Sequence, residues 1–178
     1  MARQIALLRG INLGSRNRLG MVDLRRILHE LGYEDARTLW QSGNAVFTSS
    51  EPPDEVASRI EQALAREVGL EVPVLVRSRD ELARVVARNP LGDVADDLKR
   101  YLVIFLSDKA DRKLVAGVEA AAYEPERFAV HGREVYVWLP VGVHGARLTQ
   151  NFWERRLRVT ATMRNWNTVE KLLALADS

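Results

Sequence analysis

The residues of this 178-residue chain best suited to chemistry are arginines and amides next to glycine or an aromatic ring. Arg9 follows the short apolar run Ile5–Leu8 and precedes Gly10, so its guanidinium and the open backbone amides after it would stand at the edge of a sheet. Asn12, Arg16 and Arg18 lie in the same glycine-rich stretch, and together these groups could grip a phosphate or carboxylate with charge and bidentate geometry. Near the other end, Arg164, Asn165 and Trp166 precede a helix start, where a ring could stack a base while the cation and the helix amides hold its phosphate. Asn44, in Gln41-Ser42-Gly43-Asn44, is a further candidate. Each also has a plain structural reading. Arg9 could pair with a buried acid, Trp166 could fill a core, and Ser42 and Asn44 could simply make a turn.

The signatures of other chemistries are missing. Gly10-Ile11-Asn12-Leu13-Gly14 lacks the third glycine of a dinucleotide fingerprint, and there is no Walker-type phosphate loop. His29, His131 and His144 have no ligand spacing, so no metal site is expected, and nothing points to a cofactor. The absence of cysteine removes disulfides, thiolate ligands and a cysteine nucleophile. Ser42 has no histidine nearby in sequence to serve as its base. An enzyme would have to work by arginine and amide polarisation, with a carboxylate such as Glu154 or Glu170 moving a proton. Whether the chain is an enzyme therefore stays open.

Charge supports an anionic partner only if it gathers in space. Net charge is +2, yet residues 1–26 hold six arginines against Asp23, and residues 147–171 hold five arginines and Lys171 against two glutamates. These windows carry +5 and +4, leaving about −7 for the remainder (2 − 5 − 4). The apolar run after Arg3 is too short for a signal-peptide core or a membrane span, so a cytoplasmic protein without membrane contact is expected.

The elements that would position these residues can be read from periodicity and breakers. Strand Ile5–Arg9 leads through a loop to a helix from Met21, with Leu24, Ile27, Leu28 and Leu31 on one face and Gly32 as its stop. Strands at Thr38–Trp40 and Ala45–Thr48 flank a turn, a helix opens at Pro52-Pro53-Asp54 and ends at Gly69, and a strand follows at Val72–Val76. This β-α-β-β-α-β order implies a ferredoxin-like half over residues 1–78. Residues 79–99 read as a helix to Arg88 and an acidic connecting loop. Residues 100–178 read as a second βαββ half: strand Tyr101–Leu106, helix Asp111–Ala122, strands Arg127–Val130 and Val135–Leu139, then two C-terminal helices. The second half lacks its closing strand in this reading, and the last helix is capped by Asn167 with Glu170. The fold class is α+β with two ferredoxin-like halves, the second incomplete.

Leu8-Arg9-Gly10-Ile11-Asn12 with Gly14 and Met21, Gln41–Asn44 with Phe47, Asn89-Pro90, and Arg164–Thr168 with Lys171-Leu172 together resemble the bacterial family known as domain of unknown function 1697. Similar proteins often carry Asn-Lys-x-Lys-Met before the first helix. This chain has Asn17-Arg18-Leu19-Gly20-Met21, with one positive charge fewer, and Ala146-Arg147-Leu148 where Ser-Lys-Leu is common. The resemblance implies an α+β fold with ferredoxin-like parts and brings no reaction, cofactor or partner. The expected function is binding of a phosphate-bearing ligand, a nucleotide or nucleic acid, through Arg9, Asn12, Asn44, Arg164, Asn165 and Trp166. The alternatives are a metal-independent small-molecule enzyme and a self-associating interaction module, since ferredoxin-like sheets offer faces and edges for pairing.

Overall fold

Eight strands and six α-helices follow the chain in two similar runs. The computed structural model describes every residue, Met1–Ser178. The first run is β1 (Ala2–Leu8), α1 (Met21–Glu30), β2 (Arg37–Leu39), β3 (Asn44–Ser49), α2 (Pro53–Val68) and β4 (Val74–Ser78), followed by α3 (Arg79–Arg88). The second is β5 (Tyr101–Leu106), α4 (Arg112–Ala116), β6 (Arg127–His131), β7 (Glu134–Trp138), α5 (Gln150–Leu157) and β8 (Ala161–Asn165), followed by α6 (Trp166–Asp177). The chain divides into two compact units, residues 1–83 with 172–178, and residues 84–171. No helix is long and apolar enough to cross a membrane.

In the first unit the antiparallel sheet has the order β2-β3-β1-β4. Alternation along the strands sends Ala6, Leu8, Ala45, Phe47, Val74 and Val76 to one face, against Leu24, Ile27 and Leu28 of α1 and Val56, Ile60, Ala63 and Leu64 of α2. Both helices stop where glycine accepts a left-handed backbone, at Gly32 (φ 93°) and Gly69 (φ 66°). Ile5, Leu7 and Val46, on the other face, are also fully buried. The strands therefore read as continuous apolar runs rather than as alternating ones.

The second unit has the corresponding order β6-β7-β5-β8. Leu102, Ile104, Leu106, Val135, Val137 and Ala161 pack on Trp153 and Leu157 of α5. On the opposite face Trp166 stacks on Tyr101 at 4.6 Å, and the Tyr136 hydroxyl donates to the Val85 carbonyl at 2.9 Å.

The element order corrects the expectation of an unfinished second half. β8 is the closing strand, running antiparallel to β5 with Val103 opposite Arg164. Its sequence, Ala161-Thr162-Met163-Arg164-Asn165, has the weak apolar pattern of a strand built into a sheet by its partners. Side chains of α5 help to hold it: Glu154 Oε1 accepts from the Ala161 amide at 2.8 Å, and Gln150 Oε1 from that of Met163 at 2.9 Å. The helix expected over 111–122 is also corrected. Asp111 caps a five-residue α4, the helix ends at Gly117, and only a 3-10 turn follows at Ala120–Tyr123.

The two runs share more than strand order. Arg77 is the penultimate residue of β4 and Arg164 of β8, and they lie opposite Ile5 and Val103 in the adjoining central strands. Both are buried, and each donates from Nη1 to the carbonyl of the residue before it, Val76 or Met163. The next residues, Ser78 and Asn165, each accept from the amide three positions on, at 3.1 and 2.9 Å.

Two buried phenols make stability sensitive to alkali. Burial pushes the Tyr33 hydroxyl up to about 12, helped by its 2.9 Å hydrogen bond to Glu51, and burial pushes Tyr101 up to about 12 as well. The folded state then holds protons that the unfolded chain releases near 10. The contribution is therefore complete below pH ~10 and shrinks as pH rises from about 10 to 12. Thermal denaturation against pH should show a melting temperature that falls across this window, with a shallower fall in Tyr33→Phe. Parallel profiles for the two proteins would remove Tyr33 from this account.

Candidate functional site

The loop after β1 is a folded structure held chiefly by the side-chain amide of Asn12. Gly10, Asn12, Gly14 and Asn17 all have positive φ, between 49° and 68°, and turn the chain back on itself. The Asn12 amide nitrogen donates to the Leu19 carbonyl at 2.8 Å and to the Gln41 carbonyl at 2.7 Å, while its oxygen accepts from the Leu19 amide at 2.9 Å. Both amide protons of Asn12 are thus used in joining two loop segments. Asn17 donates to the Gly10 carbonyl at 3.0 Å, and Ile11 and Leu19 anchor the loop in the core. Leu13, Arg16 and Arg18 are left on the exposed side, with Leu13 67% exposed.

The turn between β2 and β3 meets this loop. Leu8 donates its amide to the Gly43 carbonyl at 2.9 Å. Gly43 (φ 82°) lies so close that an added Cβ would stand 2.6 Å from Ile11 Cδ1 and 2.9 Å from Leu8 Cβ. Asn44 is fully buried, and its amide donates to the Leu39 carbonyl at 2.8 Å and to Ser42 Oγ at 2.9 Å. The segments Arg9–Asn12 and Gln41–Asn44, whose bonded residues Asn12 and Gln41 are 29 positions apart, are therefore brought together by tertiary structure. Asn12 and Asn44 act as positioning residues.

Trp40 was expected to close strand β2. It lies beyond Leu39, at φ 58°, and is 51% exposed. A bulky side chain with a left-handed backbone is an uncommon, strained arrangement of the kind that concentrates at functional sites. The sequence signal available for it was a tryptophan directly before the turn-forming stretch Gln41-Ser42-Gly43.

The basic window at residues 1–26 resolves into distinct roles. Arg3 pairs with Asp35, Arg26 pairs with Glu30, and Arg25 donates to Thr38 Oγ1. Arg9 is half-buried, with its backbone amide donating to the Pro73 carbonyl at 2.9 Å. Arg16 and Arg18 are exposed, and neither forms an ion pair or a side-chain hydrogen bond.

Arg164, Asn165 and Trp166 belong to the second unit and are built into it. Arg164 Nη1 donates to Thr162 Oγ1 at 2.7 Å and to the Met163 carbonyl at 2.9 Å, and burial pulls its guanidinium down to about 10. Asn165, rather than Asn167, caps α6 by accepting from the Thr168 amide. Trp166 is 3% exposed, and its Nε1 donates to Glu170 Oε1 at 3.0 Å. The carboxylates Glu170 and Glu154 are thus engaged in structure, Glu170 holding the Trp166 ring and Glu154 holding β8.

A family model described as protein of unknown function (DUF1697) matches residues 1–136. A solved structure described as that of conserved bacterial protein SP0830 from Streptococcus pneumoniae shares the fold. It has a TM-score of 0.75 and 22% identity, with 98% of each chain covered. No functionally curated protein matches the sequence.

Proposed function

Since this chain belongs to the DUF1697 family, whose function is unknown, its activity has to be read from its own surface, and we propose that it binds a phosphate-bearing ligand, in first place single-stranded nucleic acid. One observation carries the reading. Two exposed arginines without protein partners, Arg16 and Arg18, sit on a loop that Asn12 locks to the turn bearing the half-exposed Trp40. Cations to neutralise phosphates and a ring to stack a base are the ingredients of strand binding that does not depend on sequence. The groups are open to solvent rather than enclosed, which favours a strand over a free mononucleotide.

Of the six residues that pointed to this function, Asn12 and Asn44 shape the loop pair and Arg9 is half-buried at the start of the loop, while Arg164, Asn165 and Trp166 have a framework role. We read both halves as ferredoxin-like, because each runs β-α-β-β-α-β and orders its strands with the first and third in the centre. The chain is read as a cytoplasmic protein.

Fluorescence-anisotropy titration of the full chain tests the reading, using a short single-stranded RNA and a fluorescent nucleotide at about 50 and 200 mM salt. The RNA should bind, more weakly at the higher salt. Trp40→Ala should weaken binding by about five- to a hundredfold, the range of one base stacked on an aromatic ring. If only the nucleotide binds, the ligand is the smaller one. If neither probe binds at either salt, the reading fails.

A further inference from the structure

The second unit contains a cavity that the loop site leaves unexplained. It measures about 500 Å3 and is formed by the segment leading into α4 and by the turn between β6 and β7, which the Ala110 amide joins through a 2.9 Å bond to the Gly132 carbonyl. Its walls combine Ala110, Val115 and Val130 with Lys109, Arg112 and His131, and no carboxylate lines it. The two acids nearest in sequence are turned to local duties: Asp108 accepts from Ser107 Oγ at 2.9 Å, and Asp111 accepts from the Lys113 and Leu114 amides as the cap of α4. Lys109 and Arg112 consequently make no ion pair and no side-chain hydrogen bond.

A cavity of about 430 Å3 in the first unit provides the contrast. It is lined by Arg3 and Arg79, but Arg3 pairs with Asp35, and Arg79 with Asp177 and Asp80. Its cations are already neutralised.

We infer that the cavity beside Lys109, Arg112 and His131 binds a small organic anion, a phosphate or carboxylate group carried on a compact apolar body. The volume is that of a small-molecule site. The two unpaired cations supply charge-assisted hydrogen bonds to the anionic head, Arg112 in bidentate fashion. Val115 and Val130 give the body an apolar wall, so head and body should bind better joined than apart.

The test is a titration of the isotope-labelled full chain followed by amide chemical shifts, with phenyl phosphate, benzoate, inorganic phosphate and benzyl alcohol as separate probes. Phenyl phosphate or benzoate should give saturable shifts at residues 109–116 and 130–132, with inorganic phosphate and benzyl alcohol weaker by about tenfold or more. The more tightly bound of the two anions identifies the head group. The double variant Lys109→Ala/Arg112→Ala should weaken that binding by at least about tenfold, since both side chains are exposed and leave the fold intact. The inference is overturned if the organic anions bind no better than inorganic phosphate, if shifts do not saturate, or if the double variant binds like the parent. Arg16→Glu/Arg18→Glu should bind these probes unchanged, which separates this cavity from the loop site.

Discussion

Gly43→Ala is expected to destabilise the first unit by about 2–5 kcal/mol. Two costs combine. A non-glycine residue at φ 82° gives up about 1–2 kcal/mol, and overpacking a tight contact typically costs about 1–3 kcal/mol. The contact here is tight because the new Cβ would lie 2.6 Å from Ile11 Cδ1 and 2.9 Å from Leu8 Cβ, both belonging to buried residues. Leu8 cannot retreat: its amide is bonded to the Gly43 carbonyl, and its side chain is fully buried among β1, α1 and α2 residues. Denaturant unfolding of the variant beside the parent measures the effect. A loss below about 1 kcal/mol would mean that the loop and the turn are not locked together as described. Because the same contact helps to hold the loop that carries Arg16 and Arg18 against the turn that follows Trp40, RNA binding should weaken in the variant even at temperatures where it remains folded.

The second large effect concerns charge. Arg16→Glu/Arg18→Glu should lower RNA affinity by about a hundredfold or more, because two charge-assisted contacts are lost and two repulsive ones replace them. Loss of two phosphate contacts should also reduce the slope of log K against log salt by about 2. Stability should stay within about 0.5 kcal/mol of the parent, as expected for exposed side chains with no protein partner. Unchanged affinity with an unchanged salt slope would remove this loop from the proposed function. Reduced affinity with an unchanged slope would also count against it, since phosphate neutralisation is what the arginines are proposed to provide.

Much of the fold was legible because local signals and tertiary packing agreed. In α1 the spacing of Leu24, Ile27 and Leu28 with Gly32 beyond, and in α2 the prolines ahead of Asp54 with Gly69 behind, sufficed to place the helices. The span of β5, with six buried apolar residues, was equally plain. β8 was illegible for the opposite reason. Thr162, Met163, Arg164 and Asn165 have little apolar pattern, and the strand exists because β5 and the side chains of α5 offer it hydrogen bonds. The capping signals beside it point to Asn167, two residues too late, because nothing local marks Asn165 as the end of a strand.

The sequence by itself determined the arginine-bearing glycine loop and the Gln41–Asn44 turn as local features, since positive-φ positions and amide chemistry are local properties. Only the tertiary structure decided which of them face solvent. Asn12 and Asn44 spend their amides on backbone carbonyls of the loop and turn, and Arg164 and Trp166 are enclosed by their own sheet and helix, whereas Arg16, Arg18 and Trp40 remain outward. Burial and the partners of each polar atom depend on which strands come to lie side by side. For that reason the separation of enclosed framework groups from solvent-facing ones could not be read along the chain.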